Sequence, residues 1–243
     1  MSIPILEKVQ ESYQKIRNTL RFLLGNLTNS LPEVKSEKDL EKNLSLVDYY
    51  ILQKLEKLVE ESKKNYQKYN FTTIYFSLLN FCINDLSSFY FEISKDSLYC
   101  DNLSSLRRKQ IITTLYYLLQ GILKIISPIL PYLAEETYQN IPFQLELKTQ
   151  ESVHLVNYSL VLNFPSNIEE ELKVITDYFL PLRQDIFQAL ERARQEKIIT
   201  SNPQAHLTIC LKEKRKINYS KLNLTELLTI AEVEIKEKKE ENM

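Results

Sequence analysis

The stretch LEKVQESYQKIRNTLRFLLGNL, residues 6–27, determines the fold class that we predict for this chain. Its apolar residues recur every three or four positions, which is the repeat of a helix that buries one stripe. The predicted stripe consists of Leu6, Val9, Tyr13, Ile16, Leu20, Leu23 and Leu27. We therefore predict a long amphipathic helix near the start of the chain.

Further helical patterns follow this first one. Apolar periodicity predicts a second helix from Leu46 to Tyr69, a third from about Thr72 to Phe91 and a fourth from about Ser104 to Ser127. A short helix is predicted to begin at Pro131, since proline is common at the first position of a helix. Helices joined by short links indicate an antiparallel helical bundle, which we assign to residues 1–145.

The pattern changes beyond the bundle, and residues 146–243 are predicted to form a small α+β domain. A long helix is expected over residues 168–198. Three segments suit short strands, because they alternate apolar and polar residues or are rich in β-branched ones. These segments are SVHLVNY (152–158), AHLTICLKE (205–213) and VEIKE (233–237). The fold class is therefore mainly α, with a helical bundle followed by an α+β unit.

Composition limits the possible functions. The formal net charge is −1, so any nucleic-acid contact must come from a local patch. Gly25 and Gly121 are the only glycines in the sequence, which argues against a glycine-rich phosphate loop. The three cysteines are far apart and lack CxxC spacing, so we predict neither disulfides nor a metal site, and we expect a cytoplasmic location.

The sequence offers no catalytic constellation. His154 and His206 are the only histidines, and each is interpreted as a packed or surface residue. Glu135 and Glu136 are adjacent, so they cannot face each other across a substrate. The apolar run at residues 115–134 is interrupted by polar residues and prolines, and we interpret it as a buried soluble helix rather than a membrane span.

The first helix has an unusual distribution of charge. No acidic residue occurs between Glu11 and Glu33. Helical spacing places an amide- and guanidinium-rich strip beside the buried stripe, and Lys15 adds a further cation. The strip consists of Gln14, Arg17, Asn18, Arg21 and Gly25. Long donors without nearby carboxylates suit phosphates and base edges, although a merely solvated helix face remains the alternative.

Two further basic segments are candidates for recognition. Arg107, Arg108 and Lys109 lie at a predicted helix N-terminus, where the helix dipole disfavours cations. Contact with RNA is one explanation, and pairing with acids of another helix is the other. Lys95 lies in SKDSLYCDN, residues 94–102, which we predict to be an exposed turn after the third helix.

Several of these segments occur together, and in the same order, in one known family. The chain resembles the anticodon-binding region of bacterial-type isoleucyl-tRNA synthetases, which are class I enzymes. The resemblance extends over nearly the whole chain. It is carried by ESYQKIRNTLRFLLGNL (11–27), SSFYFEISKDSLYCD (87–101), SSLRRKQIITTLYYLLQGILKIISPILPYLAEETY (104–138), ESVHL (151–155), LRQDIFQALERARQEKII (182–199) and LTELLTIAEVEI (224–235).

The resemblance implies a bundle that holds the anticodon stem-loop of isoleucine tRNA. Arg17, Asn18 and Arg21 match the family's basic helix motif, and Lys95 matches the lysine of its Ile-x-Lys-Asp turn. Arg17, Arg21 and Arg108 are expected to position phosphates, and Asn18 and Lys95 to contact bases. The complete set of predicted RNA-binding residues is Gln14, Lys15, Arg17, Asn18, Arg21, Lys95 and Arg108.

The resemblance also implies what this sequence lacks. The family's two nucleotide-binding motifs, its editing domain and the C-terminal zinc-binding cysteines of many bacterial members are absent. The resemblance thus assigns ATP to the full enzyme, and zinc to those full enzymes that carry the cysteines, and no cofactor is expected here. We predict a noncatalytic, monomeric piece of a larger synthetase, whose partners are tRNA and the rest of that chain. Two alternatives stay open: the equivalent domain of a valyl- or leucyl-tRNA synthetase, and a helical protein-interaction scaffold.

Overall fold

The computed structural model describes residues 3–28, 44–142, 145, 148–156, 162, 164–211 and 222–237. The chain divides into two compact units, Met1–Pro165 and Ser166–Met243. The first unit is a helical bundle and the second contains helices and a small sheet. The predicted fold class is thus confirmed. The two units divide after Pro165, whereas the sequence predicts a boundary after residue 145.

The helices of the first unit pack around one central helix. In chain order they are α1 (Ile3–Thr28), α2 (Leu46–Gln67), α3 (Phe71–Asn80), α4 (Phe91–Cys100), α5 (Leu106–Ile126) and α6 (Pro131–Gln139). α5 contacts α2 and α1. Leu115, Leu118 and Leu119 of α5 are fully buried, as expected of a helix with neighbours on most sides.

A buried ionic cluster joins α2 to the first turn of α5. Asp48 is completely buried, and its carboxylate accepts hydrogen bonds from Arg107 Nη1 at 2.7 Å and from Tyr90 Oη at 2.7 Å. The hydroxyl of Ser45 donates to the same carboxylate at 2.8 Å. A buried charge is tolerated only when it is paired and hydrogen-bonded, and this cluster meets both conditions.

Gly121 lies where α5 approaches α2 most closely. A Cβ atom built on Gly121 would lie 2.7 Å from Cδ1 of Leu55, so no larger residue fits without a shift. We expect Gly121→Ala to lower the free energy of unfolding by about 1–3 kcal/mol through overpacking. Urea unfolding checks this, and Gly121→Ala should cost less in a Leu55→Ala background than in the original chain, because the truncated side chain makes room for the methyl group. An equal cost of Gly121→Ala in the two backgrounds would contradict the packing argument.

The first helix is present as predicted, but its buried stripe is shorter than the sequence indicates. Ile16, Leu20 and Leu23 are buried, whereas the side chains of Leu6 and Val9 are 49% and 53% exposed. The prediction that Leu6 and Val9 are core residues is therefore wrong. Periodicity identifies a face of a helix, but it does not show how far along the helix a neighbouring element covers that face.

The predicted turn around Lys95 is also wrong, because the third helical segment continues to Cys100. A π-helical segment, Phe81–Tyr90, joins α3 directly to α4. The buried residues Phe91, Ile93 and Leu98 hold α4 against the bundle. The polar residues that suggested a turn are accommodated within the helix, as the hydroxyl of Ser94 donates to the Tyr90 carbonyl at 2.6 Å.

The segment after α6 belongs to the bundle. The predicted strand at residues 152–158 is wrong where it is described, since Val153–Leu155 form a 3₁₀ turn, and residues 157 and 158 lie outside the described ranges. Glu135 anchors this turn by accepting hydrogen bonds from the Ser152 hydroxyl (2.8 Å) and the Val153 N–H (3.0 Å). A hydrogen bond from Gln139 Nε2 and the two bonds from Ser152 and Val153 lower the pKa of the Glu135 carboxyl.

The second unit consists of a helical segment and a two-stranded parallel sheet. α7 (Ile168–Lys173), a π-helical turn (Val174–Phe179) and α8 (Leu180–Gln195) confirm the predicted long helix, although it ends before Ile198. β1 (His206–Leu211) pairs with β2 (Glu232–Glu237), and the short helix α9 (Leu224–Leu228) lies between them in sequence. Both predicted strands of this unit are confirmed.

No helix within the described ranges combines the length and the apolar character that crossing a bilayer requires.

Candidate nucleic-acid interface

The polar strip of α1 lies on the surface of the bundle. Gln14, Lys15, Asn18 and Arg21 are exposed, and Arg17 is half-exposed. The opposite side of the same helix buries Ile16, Leu20 and Leu23. A rise of 1.5 Å per residue separates Gln14 from Arg21 by about 10 Å along the helix axis. The helix thus presents a row of donors that spans about three phosphates of one strand at the axial spacing of about 3.4 Å found in a duplex.

Arg17 is paired with a carboxylate of another helix. Its guanidinium donates a hydrogen bond to Oε1 of Glu136 on α6, and this bond together with the attraction between the charges raises the pKa of Arg17. The strip contains no acidic residue of its own, but Glu136 of another helix lies beside it in the structure. Sequence alone does not show this, because it gives no information on which helix packs against α1. Both side chains remain solvent-accessible, so an incoming phosphate can compete for the guanidinium.

Arg21 separates two surface grooves. Among the described residues, none forms an ion pair with it. On one side a groove of about 350 Å³ runs between α1 and α6, and its lining includes Arg17 and Glu136. On the other side a groove of about 370 Å³ lies between α1, the end of α4 and the start of α5. Gly25 lines both grooves.

The two neighbouring arginines of α5 have different surroundings. Arg107 is the partner of buried Asp48. Of the two explanations for the basic residues at this helix N-terminus, pairing with an acid of another helix is therefore the correct one for Arg107. Arg108 donates to the Leu98 carbonyl at 2.5 Å and lines the second groove together with Arg21. The fold thus brings Arg108 and Arg21 to one site, although they are far apart in sequence.

Lys95 is an exposed helical residue of α4, not a loop residue. Its ammonium is 2.5 Å from Oε2 of Glu92, one turn earlier. An exposed pair at this spacing contributes little, so the ammonium remains available to a ligand. Tyr99 follows Lys95 by four residues and therefore lies on the same face of α4.

Sequence reasoning missed Tyr99 and Glu136. Tyr99 is 65% exposed and lines the groove that contains Arg21 and Arg108. Extending the third helix through SKDSLYC would have placed Tyr99 next to Lys95 on one face. No signal in the sequence identifies Glu136 as the partner of Arg17, because their contact spans two helices that are distant along the chain.

Comparison with known proteins now identifies the class. The family model described as anticodon-binding domain of tRNA ligase matches residues 48–209. The chain belongs to this family.

Curated relatives of the chain include isoleucine–tRNA ligases of bacteria. The chain is 38% identical over 242 residues to that of Bacillus subtilis strain 168, which covers 99% of this chain and 25% of the relative. The chain is also 38% identical over 213 residues to isoleucine–tRNA ligase 1 of Oceanobacillus iheyensis, a match that covers 88% of this chain and 22% of the relative. Its identity to the isoleucine–tRNA ligase of Bacillus licheniformis is 38% over 237 residues, which cover 97% of this chain and 25% of the relative. The chain therefore spans about a quarter of the length of these relatives.

Proposed function

We propose that this chain recognises the anticodon stem-loop of isoleucine tRNA. The observation that carries the proposal is the exposed strip of α1, where Arg17, Asn18 and Arg21 present guanidinium and amide groups on one face of a bundle of this family. Guanidinium groups neutralise phosphates, and amides and arginine planes contact unstacked bases. Within the α1 strip, Arg17 and Arg21 are assigned to the RNA backbone, and Gln14 and Lys15 extend the strip at one end.

The second element of the proposed interface is the end of α4 with the first turn of α5. Lys95 and Arg108 come from these helices, and Arg108 shares a groove with Arg21. An RNA loop that follows the α1 strip past Arg21 would reach this groove next. We assign phosphate contacts to Arg17, Arg21 and Arg108, and base contacts to Asn18 and Lys95.

We further propose that the chain has no ligase activity by itself and acts within a monomeric, cytoplasmic isoleucine–tRNA ligase. The relatives named isoleucine–tRNA ligase are about four times as long as the matched region, so the adenylation chemistry is assigned to the remainder. We assign ATP binding to that remainder as well. The role of this region is to select the tRNA whose acceptor end is charged elsewhere.

The amino-acid assignment is tested with tRNA transcripts that differ only in their anticodon. We expect gel-shift titration to show tighter binding of the isoleucine anticodon than of valine or leucine anticodons placed in the same tRNA body. The shared tRNA body controls for binding through the stem. Preference for the valine or leucine anticodon would assign the chain to that synthetase instead.

One observation favours a second function, a contact surface for protein. The first turns of α1 expose Ile3, Ile5, Leu6 and Val9, a row of apolar side chains on a helix that otherwise buries its apolar face. We assign this row to contact with the remainder of a ligase chain, whose existence in the relatives supports the assignment. If protein contact were the sole function, reversing the charge of the α1 strip would leave RNA binding unchanged.

A further inference from the structure

The groove between α1, the end of α4 and the start of α5 has the features of a pocket for one flat, electron-rich group. Arg21 and Arg108 supply positive charge, and none of the residues that line the groove is acidic. Its volume of about 370 Å³ is at the small end of the range for ligand pockets. A single planar ring system fits such a volume, whereas a folded peptide segment does not.

Tyr99 provides an aromatic wall at the groove. Its side chain is 65% exposed, although burial of an aromatic ring normally stabilises a bundle. Phe22 also lines the groove, but its ring stacks on Phe91 with centroids 4.1 Å apart, so one face of it is already occupied. The ring of Tyr99 is thus the aromatic surface of this groove that remains open to a ligand.

Gly25 is the least expected residue in the groove. Glycine within a helix costs roughly 1 kcal/mol relative to alanine. For Gly121 the packing against Leu55 explains the glycine, but a Cβ atom built on Gly25 has no protein atom within 4 Å. Gly25 also has no left-handed backbone that would require it. Packing within the described protein therefore gives no reason for a glycine here, whereas close approach of a ligand to the helix backbone does.

Asn26 adds hydrogen-bonding specificity next to Gly25. Its Nδ2 donates to the Phe22 carbonyl at 2.9 Å, which orients the amide and turns its oxygen away from that bond. The amide oxygen can accept from an exocyclic amine, and Arg21 and Arg108 can donate to base carbonyl or phosphate oxygens. These groups match the edge of a nucleobase and its attached phosphate.

We propose that this groove binds one unstacked base of the anticodon loop, with the base on Tyr99 and above the open backbone at Gly25. The proposal rests on the function proposed above, and it adds a base-binding subsite formed by Tyr99, Gly25 and Asn26. Arg21 then acts at the junction, where the RNA backbone leaves the α1 strip and the base turns into the groove. Stacking on tyrosine tolerates any base, so selectivity comes from the polar edges.

Four variants test the subsite by fluorescence anisotropy with the isoleucine anticodon hairpin at one salt concentration. Gly25→Leu fills the space above the helix and Tyr99→Ala removes the aromatic wall, and each should weaken binding about tenfold to a hundredfold. Tyr99→Phe keeps the ring and should bind within about twofold of the original chain. Gln188→Leu, at another exposed helical position on α8, is the matched control for an added leucine and should change nothing.

Stability separates a binding role from a structural one. Gly25→Ala should raise the melting temperature by about 2–4 °C, because alanine favours the helix and meets no protein atom, yet it should weaken RNA binding. A fall in melting temperature would overturn the argument from Gly25. An abasic residue is also placed at each position of the loop in turn. At one position it should lower the affinity of the hairpin for the original chain but not for Tyr99→Ala.

The outcomes distinguish this inference from the function on which it rests. If the original chain binds the hairpin and Gly25→Leu and Tyr99→Ala bind equally well, the groove holds no base and only this inference fails. If the original chain does not distinguish the hairpin from one with a scrambled loop, the proposed function fails and the subsite fails with it.

Discussion

Replacing Arg17 and Arg21 by glutamate together is expected to abolish salt-sensitive binding of the isoleucine anticodon hairpin, a loss of at least about a hundredfold. Both residues lie on the α1 strip, and the change places two negative charges against the phosphates. The slope of log affinity against log salt concentration should become smaller in magnitude by about two, one for each lost phosphate contact. Gel-shift titrations at several salt concentrations measure both quantities.

A charge-matched control separates local contact from the effect of net charge. Lys57→Glu with Lys64→Glu makes the same change in net charge at two exposed positions of α2. This variant should retain the affinity of the original chain within a few-fold, because neither residue belongs to the proposed interface and salt screens exposed charges. Equal losses in the two double variants would show that net charge, rather than the α1 strip, controls binding. Unchanged binding in the first variant would favour the protein-contact function.

Arg107→Met is expected to have the largest effect on stability, a loss of about 3–5 kcal/mol in the free energy of unfolding. Arg107 is the cationic partner of the completely buried Asp48, and methionine would leave the carboxylate without its counter-charge. Tyr90 and Ser45 would still donate hydrogen bonds, but they carry no charge. Urea unfolding at neutral pH measures the loss.

A double variant checks that the loss comes from the stranded charge. Asp48→Asn with Arg107→Met removes both charges, and it should be less destabilised than the sum of the two single variants. Lys54→Met on α2, which removes a cation that pairs with partly exposed Asp85, serves as a comparison and should cost less. A cost for Arg107→Met no greater than that of Lys54→Met would contradict the structural role given to Arg107.

The sequence predicts those elements of this fold that local periodicity determines. α1 and the strands β1 and β2 follow from spacing, because a helix and a half-buried strand each impose a repeat on the apolar residues. The extension of the third helical segment to Cys100 was missed, because Ser94, Lys95 and Asp96 together resemble a turn. Packing of Phe91 and Leu98 against the bundle outweighs this local preference.

The candidate site was only partly predictable, for a related reason. The residues of α1 were found because one helix holds them all in a single strip. The pairing of Arg17 with Glu136 and the groove shared by Arg21, Tyr99 and Arg108 depend on contacts between helices that are distant in sequence. Periodicity specifies a face of one helix, and only the packed bundle specifies what lies opposite it.

Photo-crosslinking tests the central claim most directly, because it reports which residues touch the RNA. An isoleucine anticodon hairpin with 4-thiouridine in the loop is irradiated with the chain, and the crosslinked peptides are mapped by mass spectrometry. We predict crosslinks within residues 14–25 and 95–108, and their loss when the loop is scrambled. Crosslinks confined to residues 166–237, or equal yields with the scrambled loop, would contradict the account.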